Sequence, residues 1–175
     1  MELTLLRHAP PPTAYHGRYI GHTDIEIDGA LFERDKIEHL LNQDFDCIYS
    51  SDLVRCTATL EKMGMTPFIA DSRLREVCFK PSFEGKNFAQ IEAMDTFDPN
   101  ALDSKESWHR FVCDEPIEVF QARIKHFLNE LPKEGSVLIC THGGTIQMIL
   151  SMLDPHASNL PVGYLDAILV KFPRS

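Results

Sequence analysis

No stretch of this chain approaches the ~20 consecutive apolar residues needed to cross a bilayer, so no transmembrane helix is expected. Cysteine is sparse and scattered. Cys47, Cys56, Cys78, Cys113 and Cys140 are odd in number and include no C-x-x-C pair. That pattern argues against both a disulfide framework and a structural zinc site, and fits a reducing cytoplasm. Positive charge is in deficit, with 17 Lys and Arg against 26 Asp and Glu and a net charge of −9. A nucleic-acid-binding surface is therefore not expected, because affinity for the phosphate backbone needs a basic patch. The start, Met1-Glu2-Leu3, has no positively charged region ahead of an apolar stretch, so no signal peptide is expected. Repeats, linkers and low-complexity segments are lacking too. What remains is a chain of 175 residues, 43% hydrophobic and 25% charged. That is enough to bury one core, and a single domain over residues 1–175 is expected.

Two short apolar runs each end in a histidine. The first is Leu3-Thr4-Leu5-Leu6-Arg7-His8, and the second is Ser136-Val137-Leu138-Ile139-Cys140-Thr141-His142-Gly143-Gly144. Both read as buried strands, since each stops abruptly at polar or Gly-rich residues. Strands are expected at Glu2–Arg7, 46–50, 66–70, Ser136–Thr141 and 167–172. Helices are expected over 29–42, from a cap at Ser51 or Asp52 to about Met63, and over 88–94, 116–131 and 144–153. Residues 97–113 are ambiguous. The 116–131 helix is the clearest, with Ile117, Phe120, Ile124, Phe127, Leu128 and Leu131 on one face. Alternation of strand and helix predicts an α/β three-layer sandwich, a mostly parallel central sheet with helices on both faces. Ligands of such sheets bind at the carboxyl ends of the strands, where both histidines fall.

Four segments carry chemistry, each with a plainer alternative. Arg7-His8 offers a guanidinium fork that matches phosphate oxygens, beside an imidazole able to attack phosphorus. An isolated Arg-His pair is more often a polar strand end facing water. His142-Gly143-Gly144 opens a helix whose N-terminal amides suit an anion, or is a strand-to-helix turn with a packed histidine. Arg55, in Ser50-Ser51-Asp52-Leu53-Val54-Arg55, falls in a helical first turn, where the macrodipole disfavours a cation unless an anion is bound. Glu76, in Arg73-Leu74-Arg75-Glu76, has a carboxyl able to protonate a leaving oxygen and then activate water. Among 26 acidic residues it carries little signal alone. Cys140 reads as a small buried hydrophobe, and His126 as an exposed helix residue. Trp108 and His109 read as partly buried packing groups, with a lid at the site as the alternative.

Together these segments resemble the histidine phosphatase superfamily, also called phosphoglycerate-mutase-like. The family pattern is R-H-G, then S-S-D-L-x-R, L-R-E, and a late S/T-H-G-G. Here the counterparts are Arg7-His8-Ala9, Ser50 through Arg55, Leu74-Arg75-Glu76 and Thr141-His142-Gly143-Gly144. Gly17-Arg18-Tyr19-Ile20-Gly21-His22-Thr23-Asp24 is similar to the family's phosphate loop, and Phe83-Glu84-Gly85-Lys86 to its W-E-G-K stretch. The resemblance implies the phosphoglycerate-mutase-like fold and a metal-independent phosphomonoester hydrolase without cofactors. His8 would carry the phosphoryl group, Glu76 would be the proton donor, and His142 would complete the catalytic set. Arg7, Thr23, Arg55 and Gly143 would bind the substrate.

Several positions depart from the pattern. Ala9 replaces a glycine, costly if that backbone needs positive φ. Pro10-Pro11-Pro12 and Ala14 replace polar residues beside the nucleophile, and Lys80 and Pro81 interrupt a stretch that usually contains glycine. The short span from Glu76 to His142 places the chain in the compact branch of the family. There α-ribazole-5′-phosphate phosphatases of cobalamin assembly are the nearest resemblance. Three alternatives stand beside this reading: a mutase-type phosphotransferase, a metal-dependent hydrolase using His8, His22, His142 and Glu76, and a degenerate phospho-ligand-binding module. The expected partner is a small phosphorylated substrate, with no nucleic acid and no membrane. The protein is expected in the cytoplasm as a monomer or homodimer.

Overall fold

The computed structural model describes residues 1–153 and 161–172. Its centre is a five-stranded sheet of β1 (Glu2–Arg7), β2 (Cys47–Ser50), β3 (Ile69–Ala70), β4 (Ser136–Thr141) and β5 (Ala167–Lys171). The order across the sheet is β3-β2-β4-β1-β5. Four strands are parallel, and β5 closes one edge antiparallel to β1. The helices are α1 (Arg34–Leu41), α2 (Val54–Met63), α3 (Phe88–Glu92), α4 (Lys105–Val112), α5 (Ile117–Glu130) and α6 (Gly143–Leu153). This is the expected mostly parallel α/β architecture.

The strands read as continuous apolar runs because both faces of the sheet are covered. Leu3, Leu5, Val137 and Ile139 pack with Phe120, Ile124 and Phe127 of α5 and Ile146 and Ile149 of α6 on one face. Leu6, Leu138 and Cys140 pack with Ile37 and Leu40 of α1 and Cys56 and Leu60 of α2 on the other. Among the described residues no helix is long and apolar enough to cross a membrane.

Several boundaries differ from the sequence reading. The 29–42 helix divides into a 3-10 turn at Gly29–Leu31 and α1 from Arg34. Asp28 caps the start of that turn by accepting from the Ala30 amide, and the extended Phe32 ends it. Neither Ser51 nor Asp52 caps α2. Leu53 is the N-cap, and the carboxylate of Asp24 accepts from the Val54 amide at 2.7 Å. Ser51 and Asp52 are instead engaged with His142 and Arg75. The 97–113 stretch resolves into a 3-10 turn at Pro99–Leu102 and α4, whose N-cap Ser104 accepts from the Ser107 amide at 3.0 Å. Strand β3 shrinks to two residues. Pro116 precedes α5 as its N-cap rather than entering the first turn.

The strand order creates the site. Strands β1 and β4 are direct neighbours with Arg7 opposite Thr141, so His8 and His142 leave the sheet side by side. This is the carboxyl edge of the parallel strands, where chain connections diverge and ligands bind.

Candidate active site

A cavity of about 310 Å³ opens at that edge, lined by Arg7, His8, Arg55, Glu76, His142, Gly143 and Gly144 among others. Of the seven residues the sequence singled out, six meet there. The His8 and His142 rings lie 5.1 Å apart, centroid to centroid, in an edge-on arrangement.

His8 is 5% exposed. Its Nδ1 lies 2.7 Å from the Ala9 carbonyl. A carbonyl only accepts, so Nδ1 carries the proton and Nε2 keeps the lone pair. Burial, reinforced by the charges of Arg55 and Arg7 against the opposing Ala9 carbonyl, holds the His8 pKa well below the ordinary histidine value. The ring is therefore a neutral imidazole, with the lone pair placed on Nε2 by a backbone contact. Ala9 is buried and lies outside the positive-φ residues, so the missing glycine carries no backbone strain here. Its amide donates to Thr59 Oγ1 at 2.8 Å, and that hydroxyl donates to the Arg55 carbonyl at 2.6 Å. The backbone after His8 is thus tied to α2.

Arg7 donates from Nη1 to the Val162 carbonyl at 2.6 Å, and its guanidinium lies 4.0 Å from the Tyr164 ring centroid. Its Nε is the one buried side-chain polar atom among the described residues with no hydrogen-bond partner. Buried polar groups are almost always paired, so an orphan donor in a cavity marks where an acceptor belongs. Tyr164 is presented by a turn in which Leu165 adopts φ 61°, in the left-handed region. The Leu165 amide donates to the Arg7 carbonyl at 3.1 Å.

Arg55 is 2% exposed. It donates from Nε to His142 Nδ1 at 3.1 Å, from Nη1 to the Thr23 carbonyl at 2.9 Å and from Nη2 to the Gly21 carbonyl at 2.7 Å. Most of its donors hold the 20–23 loop, while its charge stays in the cavity wall. Because Nδ1 of His142 accepts from Arg55, its Nε2 carries the proton and donates to Ser51 Oγ at 2.9 Å. Burial first, then Arg55, holds His142 well below the ordinary histidine pKa as well.

Glu76 sits on an irregular segment, and its carboxylate is fixed by two amides. Oε2 accepts from Gly144 N at 2.9 Å and Oε1 from Val77 N at 3.0 Å. The first contact lies in the opening turn of α6, where a carboxylate is favoured by the helix dipole. Gly144 is there for close approach, since a Cβ on it would fall 2.5 Å from Glu76 Oε1.

Thr23 is placed differently from the expectation. Its amide and hydroxyl both donate to Glu84 Oε1, at 2.7 and 2.5 Å, and it does not line the cavity. A carboxylate within reach captures both donors, so Thr23 meets the site through its carbonyl on Arg55. His22 also turns away from the histidine pair, donating from Nε2 to the Glu76 carbonyl at 2.9 Å. Among the described residues no three His, Cys, Asp or Glu are grouped to hold a metal ion.

The sequence reading missed Tyr164, Val162 and Ser51, which hold Arg7 and His142. It also left open Trp108, which lines a second hollow of about 470 Å³. This hollow shares Tyr19, Val77, Phe79 and Gln147 with the cavity and so continues it. Aromatic spacing around residue 108 was the available signal. Nothing local marked Tyr164.

Fold and site define an α/β protein of the phosphoglycerate-mutase-like class. The chain belongs to the histidine phosphatase superfamily (branch 1), whose sequence profile matches residues 3–164. It is similar to the structure of TTHB049 from Thermus thermophilus, at 28% identity and a TM-score of 0.72, covering 99% of this chain and 95% of that one. A structure described as phosphoglycerate mutase from the same organism gives 28% identity and 0.71 over the same shares. The α-ribazole phosphatase of Shigella flexneri shares the fold at 20% identity and a TM-score of 0.79, over 99% of this chain and 92% of that one. A comparison with curated proteins finds no match.

Proposed function

We propose that the protein is a metal-independent phosphomonoester hydrolase that works through phosphohistidine at His8. The observation that carries this reading is the His8 ring itself: neutral, buried, its Nδ1 proton committed to the Ala9 carbonyl, and flanked by two guanidinium groups. The lone pair of Nε2 attacks phosphorus, and the bond from phosphorus to the leaving oxygen breaks. Glu76, acting in its acid form when the substrate is bound, gives that oxygen its proton. The carboxylate so formed then takes a proton from water, which attacks phosphorus, and the N–P electron pair returns to Nε2. Charge moves onto the equatorial oxygens during both transfers, so positioned cations account for much of the rate. Arg7 supplies its unpartnered Nε and Arg55 its charge. His142 fixes the Arg55 Nε, and its own Nε2–H, donated to Ser51 in this structure, is the donor for which a phosphoryl oxygen competes. Gly143, at the opening of α6, adds the helix N-terminus.

The hollow beside the cavity bears on the substrate. Tyr19, Phe79, Leu102 and Trp108 line it, which suits a leaving group with a flat apolar part beyond its sugar. α-Ribazole 5′-phosphate, a ribotide with a benzimidazole base, has that shape. This finer reading assigns the chain to cobalamin assembly as an α-ribazole-phosphate phosphatase in the cytoplasm. The Thermus structure described as a phosphoglycerate mutase keeps phosphotransfer as the second reading.

The test is a brief incubation with ³²P-labelled α-ribazole phosphate and, separately, a sugar phosphate, followed by an alkaline quench. Alkali-stable, acid-labile label on the wild type but not on His8→Ala, with release of inorganic phosphate, is the expected result. Chelator-sensitive hydrolysis without label would refute the phosphohistidine route. Equal turnover of both substrates would refute the substrate assignment, and label passed to an acceptor instead of water would favour transfer.

A further inference from the structure

Glu76 is carried by a segment with no strand or helix to hold it. The 3-10 turn Ser72–Leu74 ends just before it. Yet four consecutive carbonyls here are each caught by a side chain. Arg73 O accepts from Arg123 Nη1 at 2.7 Å, and Leu74 O from Thr141 Oγ1 at 2.6 Å. Arg75 O accepts from Arg123 Nη1 at 2.9 Å and from Thr145 Oγ1 at 2.9 Å. Glu76 O accepts from Arg123 Nη2 at 3.1 Å and from His22 Nε2 at 2.9 Å.

Arg123 therefore reaches three of the four. Its other donors go to Glu115, from Nε to Oε1 at 2.6 Å and from Nη2 to Oε2 at 2.9 Å. Every N–H of the guanidinium fork is thus used. The plane is fixed from the side by Phe120, whose ring centroid is 4.5 Å from Cζ. Glu115 also accepts from the Cys78 amide at 3.4 Å, beyond Glu76 in the chain. Arg123 and Glu115 are only 17% and 12% exposed, and neither lines the cavity.

We infer that Arg123, oriented by Glu115, is a positioning residue for Glu76: it sets the backbone from which the proton donor reaches the leaving oxygen. The inference rests on the proposed role of Glu76. A lysine in its place cannot serve, because one ammonium on a flexible stem cannot bond three carbonyls and a carboxylate in a fixed plane. A proton donor matters most when the leaving group is a poor one, and a phenolate leaves without help. Loss of positioning therefore has a signature that loss of general stability lacks.

The experiment compares kcat/KM, which reports phosphoryl transfer to His8 but not the later attack of water, for an alkyl phosphate and for p-nitrophenyl phosphate in wild type, Arg123→Lys, Glu115→Gln and Glu76→Gln. A mutation remote from the chemistry that misplaces a reacting group by about 1 Å costs about 10²-fold. The expected result is a loss of that size in kcat/KM for the alkyl ester in Arg123→Lys, with kcat/KM for the aryl ester largely spared. Glu115→Gln keeps the guanidinium and its carbonyl contacts, so a smaller loss with the same ester preference is expected, and it decides the matter if Arg123→Lys does not fold. Parallel losses on both esters, or none, would overturn the inference and leave Arg123 a staple of the fold. If Glu76→Gln itself shows no ester preference, the role of Glu76 fails first and takes this inference with it.

Discussion

Replacing Gly144 with alanine should act on catalysis far more than on folding. The added methyl group would lie 2.5 Å from Glu76 Oε1, 3.1 Å from its Cδ and 3.2 Å from Oε2. Comfortable nonbonded contact is about 3.5 Å, so the carboxylate must retreat by about 1 Å. The same shift breaks its 2.9 Å bond from the Gly144 amide. Displacements of about 1 Å at a reacting group cost about 10²-fold in rate. The stability ledger is smaller, because alanine gains about 1 kcal/mol of helix propensity against about 1.5–3 kcal/mol for a hydrogen bond to a charged group. A net loss of about 0.5–2 kcal/mol is expected. Steady-state kcat on an alkyl phosphate, paired with a urea titration, separates the two effects. Wild-type kcat in Gly144→Ala, or a loss of stability large enough to account for the fall in activity, would refute the close-approach argument.

Two further predictions concern the buried histidine pair and its neighbour. Both His8 and His142 titrate well below the ordinary value, chiefly through burial. As pH falls below about 6.5 the unfolded chain therefore takes up protons that the native chain does not. Stability should fall with pH from there, by as much as about 2.7 kcal/mol per pH unit while both groups contribute. Urea titrations at about pH 7.5 and about pH 5.5 should show this loss, reduced by about half in His8→Gln; an unchanged slope would mean the burial argument is wrong. At the next residue, Ala9→Gly should give no gain in kcat, because the alanine backbone is unstrained. It should cost about 1 kcal/mol from added chain freedom and a lost buried methyl group. A faster glycine variant would show that the alanine does impede the nucleophile.

What the sequence disclosed and what it hid divide along the range of the interaction. The two strands ending in histidine were legible because a buried parallel strand is a local pattern, an apolar run cut off by Arg-His or by Thr-His-Gly-Gly. Helix α5 was legible for a similar reason, its apolar stripe being complete within the segment. The α2 cap was misplaced because Ser51 and Asp52 have the right chemistry for capping but better partners elsewhere. His142 takes one, and the Arg75 fork takes the other at 2.7 Å on each carboxylate oxygen. Asp24, far back in the chain, does the capping. Thr23 was expected to bind the substrate on the strength of the family resemblance alone, and only the fold brings Glu84 to it. Arg123 and Glu115 looked like ordinary charged residues on and just before a helix. Their meaning lies in carbonyls that no side-chain pattern records.

The guanidinium of Arg7 is held by a carbonyl 155 positions away in the chain. The residues that ready the site for an anion thus come from opposite ends of the polypeptide, joined through the central neighbours β1 and β4 and the edge strand β5. Such long-range pairings form late, because the intervening chain must be ordered before they are rewarded. A growing or partly refolded chain can own His8, Arg55 and Glu76 and still lack the carbonyl of Val162 and the ring of Tyr164. The readied guanidinium of Arg7 is consequently one of the last features the chain can complete as it folds.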